Sequence, residues 1–127
     1  NRGQMIRDFT YIDDVIEGVV RTIDRPATPD PAWSSDAPDS ATSYAPYRVY
    51  NIGNNRPVQL LRYIDVLENC LGKKAKMELL PMQEGDVPAT YANTDDLERD
   101  VGFRPRTTVE TGVARFVGWY KDYYGIS

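Results

Sequence analysis

Ile6-Arg7-Asp8-Phe9-Thr10-Tyr11-Ile12-Asp13-Asp14-Val15 holds a strand pattern, a turn and a helix start in one short stretch. Phe9 and Tyr11 alternate with Asp8 and Thr10, the period of two expected of a half-buried strand. Asp13 or Asp14 is then placed to cap a helix whose apolar positions Val15, Ile16, Val19, Val20 and Ile23 recur at three and four residues. An arginine at the mouth of a strand-turn-helix unit has two natural uses. It meets a phosphate, or it pairs with a neighbouring carboxylate such as Asp8.

Outward from this unit, Arg25 to Pro46 is a loop carrying Pro26, Pro29, Pro31, Pro38 and Pro46 among Asp, Ser, Ala and Thr. Proline and short polar residues oppose regular structure there, and the length exceeds an ordinary connection. Trp33 and Tyr44 are its candidate anchors, and the loop is either a solvated excursion or a lid. Tyr47 to Gly53 reads as a strand from its Val, Ile and Tyr content. Asn54 or Asn55 is expected to cap the next helix, with Pro57 in its first turn. Leu60, Ile64, Leu67 and Leu71 form its stripe and Gly72 ends it.

Lys76 to Met82 reads as a further strand, Gln83 to Pro88 as a loop and Ala89 to Ala92 as a short extended piece. Thr94 is the expected cap of a short helix closing near Gly102, with Asp95 and Asp96 in its first turn. Thr107 and Glu110 have capping-box spacing ahead of a helix bearing Val109, Val113, Phe116, Val117, Tyr120 and Tyr124. The expected order, β-α-loop-β-α-β-β-α-α, is a mixed α/β arrangement without internal repeats.

The chain has 127 residues, 41% of them hydrophobic and 27% charged, which suits one domain with a real core. Its formal charge of −4 argues against nucleic acid or an anionic membrane as the main partner. No apolar run approaches the roughly 18 residues of a transmembrane helix. Histidine is absent, which removes Ser-His-Asp and Cys-His catalysis and the usual zinc sites. Cys70 is the single cysteine, so no internal disulfide forms; on a helix among apolar residues it reads as a small buried hydrophobe. A reducing, cytoplasmic location is the expectation that fits.

Three separated patterns then align. They are Arg7-Asp8-Phe9-Thr10-Tyr11-Ile12-Asp13-Asp14, Ala45-Pro46-Tyr47-Arg48-Val49-Tyr50-Asn51-Ile52-Gly53-Asn54, and Glu84-Gly85-Asp86-Val87-Pro88-Ala89-Thr90-Tyr91-Ala92. Together they resemble the C-terminal part of extended short-chain dehydrogenase/reductases, specifically the nucleotide-sugar epimerases. The Pro-rich loop running into Ala45-Pro46-Tyr47-Arg48, and Phe116-Val117-Gly118-Trp119-Tyr120 near the end, look most like UDP-glucuronate 4-epimerases.

The resemblance implies a mixed α/β C-terminal portion lacking most of the Rossmann domain, with residues 1–127 as a nucleotide-sugar-binding fragment. The family holds NAD on a Gly-rich turn and uses a Tyr-x-x-x-Lys pair, and neither pattern occurs here. The expectation is therefore that the intact enzyme uses NAD while this chain alone binds none and supplies no catalytic group.

By position, Arg7 matches the family arginine that contacts the diphosphate, and a guanidinium fork suits phosphate oxygens. Asp86 matches the acidic position of the Gly-Asp loop, there to accept from ribose hydroxyls or to cap its own loop. Gln83 stands where many galactose epimerases carry a second diphosphate arginine, a departure from a two-arginine clamp. Thr90 matches the position that limits the hexose pocket, and a small residue there leaves room for a glucuronate carboxylate. Arg48 is a candidate for that carboxylate or for a structural ion pair.

Three functions are weighed on these grounds. The first is the substrate-binding part of an epimerase that transiently oxidises C4 of a UDP-sugar. The second is a free-standing nucleotide-sugar-binding or interaction module. The third is part of a nucleotide-sugar dehydratase or decarboxylase. Separated from a Rossmann partner, the apolar faces around Phe9 to Ile23 and Tyr47 to Leu71 are expected to drive self-association.

Overall fold

The computed structural model describes residues 1–126. Its elements run β1 (Ile6–Arg7), α1 (Ile12–Ile23), β2 (Val58–Gln59), α2 (Leu60–Leu71), α3 (Asp95–Val101) and α4 (Val109–Tyr124). The mixed helix-and-strand class expected from the sequence is the one observed. β1 and β2 pair antiparallel, with Ile6 opposite Gln59 and Arg7 opposite Val58. On its other side β1 takes a parallel bridge from Ile6 to Ala89. The strand system is thus a small platform that carries Arg7.

The hydrophobic core lies between α2 and α4. Val66, Val109, Val113 and Val117 are buried there, with Phe9, Val58, Tyr63, Leu67, Cys70 and Leu71 packed around them. Each buried valine contributes roughly 1.5–3 kcal/mol of transfer free energy. Phe9 stacks on Tyr63 at 4.3 Å between ring centroids, which ties the segment after β1 to α2. Cys70 is half-buried against this core, as its helical context implied. Glu68, also buried, accepts from the Ala75 amide at 2.7 Å and pairs with Lys74. The Lys74 hydrogen bond first, then the Ala75 amide, hold its carboxyl below the ordinary glutamate range.

Several local expectations are corrected. Phe9 to Tyr11 is not a paired strand; the ladder lies earlier, at Ile6–Arg7. Tyr11, not Asp13 or Asp14, is the N-cap residue of α1, and the two aspartates sit in the first helical turn. Asp14 is drawn away to accept from the amides of Arg106 (3.1 Å) and Thr107 (2.9 Å), fastening the segment before α4. α2 starts at Leu60 after Gln59, so Asn54, Asn55 and Pro57 precede it. Asn54 instead donates to the Thr107 carbonyl at 2.9 Å.

Thr94 occupies the N-cap of α3 but its side chain makes no capping bond; Asn93 Oδ1 accepts from the Asp95 amide in its place. The cap of α4 is Thr108 rather than Thr107, accepting from the Thr111 amide. α2 does end at Gly72, whose φ of 67° lies in the left-handed region.

Tyr47 to Gly53 and Lys76 to Met82 form no strand. Residue type favoured extension in both, but a strand also needs a ladder partner. Among the described residues neither segment has a paired neighbour strand: the first has a single antiparallel bridge, Thr42 with Arg48, where the Val49 amide donates to the Ala41 carbonyl, and in the second the Leu80 carbonyl accepts from the Asn1 amino group and the Arg2 amide. Trp33 and Tyr44 of the Pro-rich loop pack on each other at 5.5 Å, and Trp33 Nε1 donates to the Asp39 carbonyl. They fold the loop onto itself rather than onto the core.

The apolar stripe of α1 is left uncovered. Ile12 is 58% exposed, Ile16 54% and Ile23 72%, and Gly18 is the buried residue of that helix. The periodicity of α1 was legible, but among the described residues nothing covers its stripe.

Candidate nucleotide-sugar site

The turn Gln83-Glu84-Gly85-Asp86 is closed by the Asp86 amide donating to the Gln83 carbonyl at 3.3 Å. Gly85, at the third position with φ 81°, adopts the left-handed geometry that a type II turn demands. Asp86 Oδ1 accepts from its own neighbour, the Val87 amide, at 2.8 Å. The same oxygen accepts from Arg7 Nη2 at 2.9 Å, while Arg7 Nη1 donates to the Ile6 carbonyl. Arg7 is therefore paired with Asp86, not Asp8. With side chains 24% and 41% exposed, this pair contributes little to stability and chiefly fixes where the guanidinium points.

The chain beyond this turn runs back along β1. The Ile6 amide donates to the Pro88 carbonyl at 2.9 Å and the Thr90 amide to the Ile6 carbonyl at 3.1 Å. Thr90 Oγ1 then accepts from the Asp8 amide at 3.3 Å. Arg7 is thus gathered on and beside one strand with Gln83, Asp86 and Thr90, which lie more than seventy residues away from it in sequence. Arg7 and Asp86 touch, Gln83 closes the turn that presents Asp86, and Thr90 borders Asp8.

Arg48 stands apart from this group. Its Nη2 lies 2.8 Å from Asp96 and 3.0 Å from Asp100, and its side chain is 12% exposed. The Tyr50 hydroxyl also donates to Asp100, and the Arg48 guanidinium sits 5.0 Å over the Tyr50 ring. Burial works against the Asp100 charge, yet hydrogen bonds from Arg99, Tyr50 and Arg48 hold its carboxyl below the ordinary aspartate range. Of the two uses open to Arg48, the structural ion pair is the one observed.

An apolar cleft of about 220 Å³ lies between the segment after β1 and α4, lined by Phe9, Tyr11, Tyr63, Val109, Val113 and Phe116. None of the four site residues lines it. Asp8 has a use beyond pairing with Arg7, and the one sign of it in the sequence is Gly53. An added Cβ at Gly53 would meet Ala92 Cβ at 2.3 Å and Asp8 Oδ2 at 2.8 Å.

No family profile matches the chain. Protein CapI of Staphylococcus aureus is 53% identical over 124 residues, which cover 98% of this chain and 37% of that protein. UDP-glucuronate 4-epimerase 1 of Arabidopsis thaliana is 40% identical over 126 residues, covering 98% and 28% respectively. A variant UDP-glucuronic acid 4-epimerase of Bacillus cereus was solved with UDP-4-deoxy-4-fluoro-glucuronic acid and NAD. It superposes with a TM-score of 0.71 at 25% identity, over 96% of this chain and 34% of that one. The chain spans about a third of the length of the proteins it matches. In sequence and in fold it is therefore similar to one part of the NAD-dependent nucleotide-sugar epimerases and dehydratases, extended short-chain dehydrogenase/reductases among which UDP-glucuronate 4-epimerases recur.

Proposed function

We propose that this chain is the nucleotide-sugar-binding part of a UDP-glucuronate 4-epimerase. The observation that carries the reading is the meeting of Arg7, Asp86 and Thr90 at one strand, in a chain related to such enzymes over nearly its whole length. Arg7 presents a guanidinium whose remaining N–H groups take a diphosphate. Asp86 has its second carboxylate oxygen available for a ribose hydroxyl, its first being held by Arg7 and Val87. Gln83 offers a neutral amide where a second cation would stand, so the diphosphate leans on Arg7. Thr90 borders the sugar and leaves room for a carboxylate substituent.

The paired strands are two residues each and antiparallel, with no Gly-rich turn from a parallel strand into a helix. NAD and the redox step belong, in this reading, to the part of the enzyme outside these residues. What this chain does is bind and orient the UDP-sugar. Among the described residues no helix is long and apolar enough to cross a membrane.

The reading is tested in the full-length protein by following UDP-glucuronate in the presence of NAD and scoring inversion at C4 by NMR. Absence of the C4 epimer overturns it. Thr90→Tyr then probes the pocket. Filling it is expected to lower kcat/KM on UDP-glucuronate by about tenfold or more relative to UDP-glucose, since adding bulk to a filled pocket discriminates by roughly 1–3 kcal/mol. Equal losses on both sugars would place Thr90 outside the pocket.

The uncovered stripe of α1 has an occupant in the same reading, the remainder of the enzyme. In the isolated 127-residue chain a second copy takes that place. Light scattering over a concentration series is expected to give masses above the 14.4 kDa of a single chain. A monodisperse monomer at high concentration would show that the stripe needs no cover.

A further inference from the structure

Three motifs read separately in the sequence converge on one carboxylate. Asp8 Oδ2 accepts from the Asn55 amide at 3.1 Å and from the Ala92 amide at 3.2 Å, and Oδ1 faces the Arg56 amide at 3.5 Å. Asn55 holds a φ of 54°, a left-handed conformation that asparagine tolerates better than most residues, and this turns its N–H toward Asp8. Gly53 leaves the space in which Ala92 and the Asp8 carboxylate come together. The Asp8 amide meanwhile donates to Thr90 Oγ1. Asp8 is thus the last rung that fastens the segment carrying Asp86 and Thr90 along β1, beside Arg7.

We infer that Asp8 is a positioning residue for the nucleotide-sugar site: its carboxylate fixes the 53–56 and 90–92 segments so that Asp86 and Thr90 stand in register with Arg7. The inference rests on the proposed function, because it assigns what Asp8 positions. A carboxylate is needed because both of its oxygens face backbone N–H groups, Oδ2 those of Asn55 and Ala92 and Oδ1 that of Arg56. An amide at this position presents its own N–H groups to donors or leaves one amide unpaired. Displacements of about 1 Å in such a frame cost up to roughly a hundredfold in binding or rate.

The test uses the full-length protein with UDP as probe. Affinity is measured by calorimetry for wild type, Arg7→Ala, Asp8→Asn and the double variant, each well below its own melting temperature. Asp8→Asn is expected to weaken UDP about tenfold on its own but less than about twofold in the Arg7→Ala background, where no arginine is left to be held in register. Asp8→Glu keeps the charge but misplaces the acceptor, and it serves if Asp8→Asn does not fold; its UDP affinity is expected to fall between the two.

If Asp8→Asn and Asp8→Glu bind UDP as wild type does, or if the Asp8 and Arg7 losses simply multiply, the positioning role is overturned. A lowered melting temperature with unchanged UDP affinity likewise makes Asp8 purely structural. If wild type does not bind UDP, or Arg7→Ala leaves its affinity unchanged, it is the nucleotide-sugar reading that fails, and the inference falls with it.

Discussion

Replacing Arg7 by alanine in the full-length protein is expected to raise the Michaelis constant for the UDP-sugar by about ten- to a hundredfold, with kcat within about twofold. A hydrogen-bonded ionic partner is worth roughly 1.5–3 kcal/mol, and each 1.4 kcal/mol is about tenfold in affinity. Two features of this structure adjust the figure in opposite directions. Arg7 is already held by Asp86, so part of what a diphosphate gains is offset by sharing the guanidinium. Removing Arg7, however, leaves the Asp86 carboxylate unneutralised beside an incoming dianion, and that repulsion adds to the loss. With no second arginine at Gln83 to compensate, the upper part of the range is favoured. Arg7→Lys, which keeps the charge and loses the planar fork, is expected to fall between the two. An unchanged Michaelis constant in Arg7→Ala would reduce Arg7 to an ion-pair partner of Asp86.

Gly53→Ala is the second large expected effect, here on stability. The new methyl carbon would stand 2.3 Å from Ala92 Cβ and 2.8 Å from Asp8 Oδ2. Ala92 Cβ cannot rotate away, so the segment around it must move as backbone. That motion breaks the Ala92 amide's bond to Asp8 and strains the Asp8–Thr90 contact. Overpacking costs about 1–3 kcal/mol, and each lost hydrogen bond roughly 0.5–1.5 kcal/mol more. A loss of about 3 kcal/mol or more follows, which for a domain of this size lowers the melting temperature by roughly 10 °C or more. Gly118→Ala in α4 is the control. Its added methyl meets nothing within 4 Å, and a helix interior favours alanine over glycine by roughly 0.5–1 kcal/mol, so it is expected to melt at or above wild type. A Gly53→Ala protein that melts with wild type would mean that the three segments do not close on one another at this point.

The helices and their C-terminal ends were largely written in local sequence. The three-and-four spacing of Val15, Ile16, Val19, Val20 and Ile23, and of Val109, Val113 and Val117, marks α1 and α4, because a helix repeats its face every 3.6 residues whatever lies opposite. Gly72 marks the end of α2 and Gly85 the turn before Asp86, because few other residues adopt a positive φ without strain. The likeness to nucleotide-sugar epimerases also lay in short runs of residues.

Tertiary structure alone decided which caps are used and which extended segments become strands. Asp14 and Asn54 left their local capping roles for partners more than fifty residues away. Tyr47 to Gly53 and Lys76 to Met82 have strand composition without a ladder, since residue type supplies extension but not a neighbour. The choice of Asp86 over Asp8 as the partner of Arg7, and the gathering of Asn55, Arg56 and Ala92 amides on Asp8, likewise depend on contacts closed across long separations in the chain. Local pattern records which groups need a hydrogen-bond partner; only the folded arrangement of distant segments determines which partner each one finds.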